Sequence, residues 1–327
     1  MEHSLIFRSK TEDLLKIFAC TLLAFLLSFN QKFLTSPWTI LAVTYLLDSG
    51  HVYSTMLEVY VDPQELRKPY VWWVTLGALL LNSLILYIIP EVFFYYIFYF
   101  TVFHNMRQGL GVTLLYKKGE PEGVHFYKYS YYFLTLIPFS LFHLKPMNPS
   151  AKLGVSIIKS IDMSWLLNPE KMNYFYQLGI WAFSLGVVFI FSKIVLKKWY
   201  QGLLSLIFFF GVYLFAFVIS KSELQSYLVL ITSHAIPYFF LMEKRVKRTH
   251  SISFIKKYAG FFLILFFIFG GVLDFSQKVF IHYFSDVEEM ARALVATPLI
   301  AHFIFDGIIW KRGNERYGAF LDRNLTS

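Results

Sequence analysis

Four histidines lie inside long apolar runs of the sequence, one in each of four different runs: His51, His104, His234 and His302. An ionisable group at bilayer depth is costly, so such groups usually face a protein interior and serve a function. The imidazole ring is the commonest protein ligand of transition metals, and it also carries protons near neutral pH. The four histidines are therefore predicted to form one buried metal-binding cluster.

Polar residues accompany two of these histidines at helical spacing. The second apolar run carries an i, i+3, i+7, i+10 pattern made of Asp48, His51, Thr55 and Glu58. At 100° per residue these positions occupy an arc of about 80° on one helix. Asp306 lies one turn after the last of the four histidines, on the same helix face. Asp48 and Asp306 are predicted as metal ligands, or as acceptors for the second N–H of a ligating imidazole.

Three further polar residues are candidates for catalytic or substrate-binding roles: Glu58, Arg107 and Gln108. Arg107 and Gln108 follow His104 in the string FHNMRQGLG. An intramembrane arginine either pairs with a buried carboxylate or uses its planar fork of donors to hold an anionic head group. Aromatic residues near these positions could line an apolar substrate cavity, namely Tyr53, Tyr95, Phe103 and Tyr238.

The donor types limit the cofactor. Imidazoles and carboxylates suit iron, manganese, copper or zinc, with iron as the expected metal. The only cysteine is Cys20, so a thiolate metal site and a disulfide framework are excluded. Haem held axially by two of the histidines is a second possibility. In the simplest alternative, each histidine only hydrogen-bonds a hydroxyl or carbonyl group between helices.

The elements that position these residues are predicted to be transmembrane helices. The chain is 57% hydrophobic and only 16% charged, whereas about a quarter of the residues of a soluble domain are charged. This composition excludes a soluble fold and favours a single polytopic, all-α transmembrane domain over 1–327. Ten apolar runs are long enough to be spans: 14–29, 37–60, 71–89, 92–116, 126–143, 174–192, 202–220, 223–242, 258–273 and 288–310.

The basic residues predict how these spans are oriented. With both termini in the cytoplasm, 21 of the 30 lysines and arginines fall in cytoplasmic segments and 8 in outer segments. The basic run at 244–248 is interpreted as a topology anchor. Segment 144–173 is predicted to be an interfacial helix on the outer surface. Five other histidines at span ends or in loops are predicted to be solvated: His3, His125, His143, His250 and His282.

The four span histidines also share a depth. They lie 14, 12, 11 and 14 residues after the starts of the second, fourth, eighth and tenth spans. These even-numbered spans run in the same direction, and the rise of a helix is 1.5 Å per residue. All four imidazoles are therefore expected within about 5 Å of one level, near the centre of the bilayer.

In overall arrangement the chain resembles the histidine-rich polytopic membrane oxygenases, including small bacterial enzymes that cleave carotenes and carry metal-binding histidines in transmembrane helices. The resemblance covers architecture, because the HxxxH and HxxHH boxes of membrane desaturases are absent. It implies an oxygen-dependent, non-haem iron oxidoreductase of the bacterial inner membrane that acts on a lipid or isoprenoid. Three alternatives stay open, namely a b-type haem protein, a proton- or cation-coupled transporter, and a hydrolase or acyltransferase.

The basic residues flank the spans instead of forming a patch, so nucleic acid is not an expected partner.

Overall fold

The computed structural model describes residues 6, 9–117, 122–144, 168–283 and 288–310. Within these ranges the regular structure is all helical, which confirms the predicted all-α class. Ten long helices occur there: α1 (10–27), α2 (37–59), α3 (Pro69–Ile88), α4 (Phe93–Lys117), α5 (Val124–Phe142), α6 (Pro169–Lys197), α7 (Leu203–Ile219), α8 (Glu223–Thr249), α9 (Ala259–Tyr283) and α10 (Glu288–Ile309).

Each of the ten predicted spans coincides with one of these helices. Five of the helices are both long and apolar enough to cross a membrane, over Pro69–Ile88, Glu170–Lys197, Glu223–Thr249, Ala259–Ser276 and Ala291–Ile309. The chain is therefore a helical protein with at least five candidate membrane spans in its described parts. The count of ten spans, the cytoplasmic termini and the bacterial membrane stay predictions. Most of the predicted outer segment 144–173, namely 145–167, lies outside the described residues.

The helix ends follow local chemistry. Proline occupies the first turn of α2, α3 and α6, where its missing N–H costs no hydrogen bond. The Asn168 side chain accepts a hydrogen bond from the Lys171 amide at 2.9 Å and so caps α6. α2 is not uniform, because residues Leu41–Ser49 form a π-helix before the α-helical turns resume at Gly50. Such wide turns change the direction in which the following side chains point.

The chain packs as two compact units. Unit 1 contains Met1–Asn30 and Asn105–Ser233, and unit 2 contains Gln31–His104 and His234–Ser327. In unit 1, the hydroxyls of Thr113 and Ser205 lie 3.0 Å apart and connect α4 to α7. The ammonium of the buried Lys117 lies 4.8 Å from the centre of the Tyr127 ring, a cation–π contact between α4 and α5.

In unit 2, glycines allow α2 and α9 to approach closely. A β-carbon on Gly50 would lie 2.8 Å from the backbone oxygen of Phe267, and one on Gly271 would lie 2.7 Å from that of Tyr45. Small residues at both faces let the two backbones meet, as is common between membrane helices. On the other side of unit 2, α10 packs against α3 through a core of aliphatic and aromatic side chains, which includes Val71, Ala78, Ile300 and Phe305.

Candidate metal centre

The four predicted histidines meet in the interior of unit 2. They are supplied by α2, α4, α8 and α10, and their exposed fractions are 2%, 7%, 3% and 1% for His51, His104, His234 and His302. One ring nitrogen from each lies within 4.8 Å of those of all the others. Residues that are up to 251 positions apart in the sequence therefore converge on one point, as predicted.

The four rings form a closed square. Ring centroids are 4.6 Å apart for His51 and His234, 5.0 Å for His234 and His104, 4.8 Å for His104 and His302, and 5.2 Å for His302 and His51. Each histidine thus has two histidine neighbours at nearly equal distance. The four histidines therefore form one continuous cluster.

Contacts at two levels show that the helices of the cluster share a direction. α2 meets α8 at the histidines and again two turns later, where Glu58 pairs with Arg245. α4 and α10 share a core cluster that contains Phe93 and Ala293, and then meet again at their histidines. α2 and α10 are likewise in contact at their histidines and, one turn later, through Thr55 and Asp306. The four helices are therefore parallel to one another at the site.

His51 and His234 point their Nε2 atoms at each other. The His51 Nδ1 atom lies 3.0 Å from the carbonyl oxygen of Leu47, one turn earlier in α2. A carbonyl only accepts, so the proton of His51 is on Nδ1 and the lone pair is on Nε2. That Nε2 atom lies 2.9 Å from the Nε2 atom of His234. The backbone thus fixes the tautomer in which His51 presents a ligand atom to the cluster.

His302 is fixed in the same way by a chain of hydroxyl groups. Its Nδ1 atom lies 2.7 Å from the Thr55 hydroxyl, which lies 2.5 Å from the Tyr238 hydroxyl. Tyr238 donates a hydrogen bond of 2.8 Å to a carboxylate oxygen of Asp306. If each group donates to the next, Nδ1 of His302 carries the proton. The Nε2 atom of His302 is buried and makes no hydrogen bond within the described residues.

These distances can be compared with those of a real metal site. Imidazole nitrogens bind first-row metals at about 2.0–2.1 Å, so two ligands of one ion lie between about 2.9 Å and 4.2 Å apart. The largest separation in the cluster, 4.8 Å, exceeds the upper end of that range by about 0.6 Å. Small side-chain rotations would close the difference. The group His51, His104, His234 and His302 could therefore hold a metal ion, and its donors do not identify which one.

Asp306 lies beside the cluster and contacts its histidines indirectly. One oxygen is 3.7 Å from His302 Nδ1 and the other is 3.7 Å from His104 Nε2. Both distances are too long for direct hydrogen bonds. Its direct contacts are Tyr238 and, at 3.4 Å, Thr55. Asp306 therefore reaches the histidines through Thr55 and Tyr238, and its predicted role as a metal ligand or as an acceptor from a ligating imidazole stays a prediction.

Asp48 is not brought to the histidine square. It lines a cavity of unit 2 together with Asp274 and Arg292. The expected arc with His51 assumes regular α-helical spacing, but Asp48 is the penultimate residue of the π-helix, whose wider turns rotate it away from that arc. Among the described residues, the donor atoms that meet at the cluster are those of the four histidines. A ligand role for Asp48 stays a prediction without such a contact.

Glu58 belongs to a buried ion pair, two turns from the cluster. Its Oε2 atom lies 3.7 Å from a guanidinium nitrogen of Arg245, and both side chains are fully buried. Oε1 accepts a hydrogen bond from Thr249 at 3.3 Å. The guanidinium also lies 5.0 Å from the centre of the Trp310 ring. The interpretation of the 244–248 run as a surface anchor is therefore wrong for Arg245, which faces the interior.

Arg107 and Gln108 belong to unit 1. Arg107 is exposed and Gln108 is half-buried. Their predicted roles at the site, substrate anchoring for Arg107 and tuning of the centre for Gln108, stay predictions. They follow His104 by three and four residues in the sequence, and His104 is the last residue of α4 that belongs to unit 2.

One of the five histidines that were expected to be solvated is buried instead. His250 was expected to be solvated but is fully buried, where it donates from Nε2 to the Leu57 carbonyl at 3.2 Å and accepts from the Ile252 amide at 3.1 Å. His125 is exposed and His143 is half-buried, while His3 and the side chain of His282 lie outside the described residues.

Tyr238, expected in a cavity wall, instead connects Thr55 to Asp306. Thr55 belongs to the polar pattern that the sequence shows on α2, whereas no spacing in the sequence links the Tyr238 hydroxyl to the histidines.

The fold and the site together define a helical, candidate membrane protein with a buried four-histidine cluster. A comparison of the chain with protein-family models, curated proteins and solved structures finds no match. The buried four-histidine cluster is therefore the main indication of its function.

Proposed function

We propose that this protein is a membrane-embedded, metal-dependent oxidoreductase, in which the four histidines hold one iron ion and the substrate is a lipid or isoprenoid. The observation that carries the proposal is the buried square of four imidazoles with ligand atoms within 4.8 Å of one another. Four imidazoles without an ion would leave ring nitrogens buried and unsatisfied, as Nε2 of His302 is. A bound cation would use these lone pairs.

The number of ligands favours a catalytic metal of the iron type. A tetrahedral zinc site with four protein ligands is closed, as in structural zinc sites. A six-coordinate metal such as iron or manganese would keep two positions open with the same four ligands. When bound, such a metal would supply activation of oxygen at a depth where apolar substrates concentrate.

The chain's own residues hold the ligands and store a proton. Leu47 and Thr55 fix the tautomers of His51 and His302, while Phe303 stacks on the His104 ring at a centroid distance of 4.3 Å. Asp306 lies at the end of the Tyr238 hydrogen bond and beside two of the rings. The carboxyl of Asp306 can therefore take or release a proton through the Tyr238 and Thr55 hydroxyls, without passing it through the hydrocarbon.

The square argues against haem. Two axial histidines would have to lie on opposite faces of a porphyrin, with a flat macrocycle between them. Here every ring has two histidine neighbours at centroid distances of 4.6–5.2 Å. A macrocycle placed between any two of them would overlap the other two rings.

The test is the metal content of the purified protein. The parent protein, extracted in detergent and reconstituted with iron(II), is expected to hold one iron per chain and to show no Soret band. His51→Ala, His104→Ala, His234→Ala and His302→Ala should each lose most of the metal. His125→Ala is the matched control because His125 is exposed.

Two results would contradict the proposal. A parent that binds neither iron, manganese, copper nor zinc in stoichiometric amount would favour the transporter alternative, in which the histidines relay protons. An intense Soret band that depends on only two of the histidines would favour the haem alternative. A loss of metal in His125→Ala equal to that in the other variants would show that the assay measures folding.

A further inference from the structure

A second feature of unit 2 is a cavity of about 350 Å³ between α2, α4, α9 and α10. This volume is in the range of small-molecule sites. Most of its lining is apolar, with Val52, Phe93, Ile97 and Leu299 among the wall residues. Its charged residues are Asp48, Asp274 and Arg292.

The cavity lies next to the histidine square along the same helices. Its lining residues on α4 and α10 include Ile97 and Val295, each seven residues before the histidine of its helix. Leu299 and Asp48 are each three residues before a histidine. At 1.5 Å per residue the wall begins about 5 Å from the level of the imidazoles and continues to about 10 Å. Since these helices are parallel, the cavity lies on one side of the square, about one to two helical turns from the imidazoles.

Two departures from regular helix border this space. Pro298 lies inside α10 and lines the cavity, and a proline removes one backbone hydrogen bond and bends the helix. Opposite it, Asp48 and Ser49 are the last two residues of the π-helix in α2. π-turns inside α-helices occur frequently at functional sites.

The charged part of the cavity holds more negative than positive groups, and the hydroxyls of Ser49 and Tyr53 also line it. Asp274 is buried, and it accepts a hydrogen bond of 2.8 Å from the Ser49 hydroxyl. With Asp48 and Arg292, the lining has two carboxylates and one guanidinium, a formal charge of −1. Carboxylates accept hydrogen bonds and attract cations. An alcohol or amine therefore fits this lining better than a carboxylate or phosphate.

We infer that this cavity binds the substrate of the four-histidine centre, an amphipathic molecule with a hydrocarbon part and a hydrogen-bond-donating head group, either hydroxyl or amine. The inference rests on the proposed function for the word substrate, whereas binding itself depends only on the cavity. The apolar walls enclose the hydrocarbon, and Asp48 and Asp274 accept from the head group.

The experiment uses three photoreactive probes that share a decyl chain with a diazirine and differ in the head group: amine, hydroxyl or carboxylate. The full-length protein is placed in lipid nanodiscs and irradiated with each probe, and the labelled residues are mapped by mass spectrometry. We expect the amine or the hydroxyl probe to label cavity residues such as Ile97 and Val295, and the carboxylate probe to label them about tenfold less. If only the amine probe labels the cavity, the head group binds the carboxylates as a cation. If the amine and hydroxyl probes label it equally, the head group binds them through neutral hydrogen bonds.

Two matched variants test the position. Val295→Trp fills the cavity and should lower its labelling about tenfold, because the bound position is removed. Leu294→Trp is the control, since the adjacent Leu294 is half exposed on the outside of the same helix. Metal content should stay at the parent value in Val295→Trp and Leu294→Trp.

A third variant tests the recognition of the head group. Asp48→Asn should lower cavity labelling by the amine probe about tenfold, the loss expected when a charged hydrogen bond is removed.

Three results would overturn the inference: labelling spread evenly over the exposed helix surfaces, equal cavity labelling in Val295→Trp and Leu294→Trp, or strongest cavity labelling by the carboxylate probe. Failure of the proposed function gives a different pattern. In that case the parent holds no metal, while specific cavity labelling and its loss in Val295→Trp persist.

Discussion

The Nε2 atoms of His51 and His234 lie 2.9 Å apart, although 183 positions separate the two residues in the chain. The His51 nitrogen carries a lone pair, because its Nδ1 proton is held by the Leu47 carbonyl. The space between the two atoms must therefore contain either a proton on His234 or a shared cation. A proton on Nε2 of His234 must move to Nδ1 before Nε2 can bind a metal. Because protonation of the imidazoles competes with the metal for their lone pairs, affinity is expected to fall as the pH is lowered.

The first prediction concerns this pair. His51→Ala and His234→Ala should each weaken iron binding strongly, and the double variant should be only slightly weaker than either single variant. Two ligands of one ion act as a unit, so their effects are not additive. Iron affinity can be measured by competition with a coloured chelator. Additive effects on the logarithm of the affinity would indicate two independent sites.

The second prediction concerns Thr55, whose hydroxyl holds Nδ1 of His302 at 2.7 Å. Thr55→Val keeps the shape but removes the hydroxyl, so the tautomer of His302 is no longer fixed. Loss of such a supporting group typically lowers metal affinity about 10- to 100-fold. Thr55→Ser should retain most of the affinity. Equal affinities for the Val and Ser variants would show that the hydroxyl does not support the ligand.

The sequence predicts the helices and the histidine cluster well. Spans follow from runs of apolar residues that match the bilayer thickness, and His104 and His302 stand out because ionisable side chains are costly there. Tertiary pairing was not predictable. Arg245 belongs to a basic run, which indicates an exposed side chain. Only its contact with Glu58 in the structure shows that it is buried. The rotation of Asp48 depends on a π-helix that leaves no signal in an apolar stretch.

The third prediction follows from the Glu58 and Arg245 pair. Glu58→Leu leaves a buried guanidinium without its carboxylate, which should cost about 3–5 kcal/mol of stability. The double variant Glu58→Leu with Arg245→Met should recover much of that loss, because an apolar pair can replace a buried ion pair. Unfolding in a denaturing detergent series measures both. If Glu58→Leu is as stable as the parent but has lost its metal, Glu58 serves the centre instead of the fold.

The fourth prediction concerns orientation. The excess of basic residues at 21 against 8 predicts that both termini lie in the cytoplasm and that segment 144–173 lies outside. Single cysteines introduced at 150, 155 and 160, in a Cys20→Ser background, should react in intact cells with a membrane-impermeant thiol reagent. A cysteine introduced at 247, in the basic run, is the cytoplasmic control. Labelling of the 150–160 positions only after permeabilisation would reverse the predicted orientation.

The last prediction tests whether the close approach of α2 and α9 positions His51. A β-carbon on Gly50 would lie 2.8 Å from the backbone oxygen of Phe267 and 2.9 Å from its ring. Backbone cannot rotate away as a side chain can, so Gly50→Ala should push the helices apart. Overpacking of this kind typically costs about 1–3 kcal/mol.

The matched control is Gly77→Ala on α3, where an added β-carbon meets no atom within 4 Å. That change should be neutral, or stabilising by about 0.5–1 kcal/mol, because alanine favours a helix over glycine. Since His51 follows Gly50 directly, Gly50→Ala should also lower iron affinity, whereas Gly77→Ala should leave it unchanged. Equal iron affinity in the two variants, measured on folded protein, would show that the helix contact does not determine the position of the ligand.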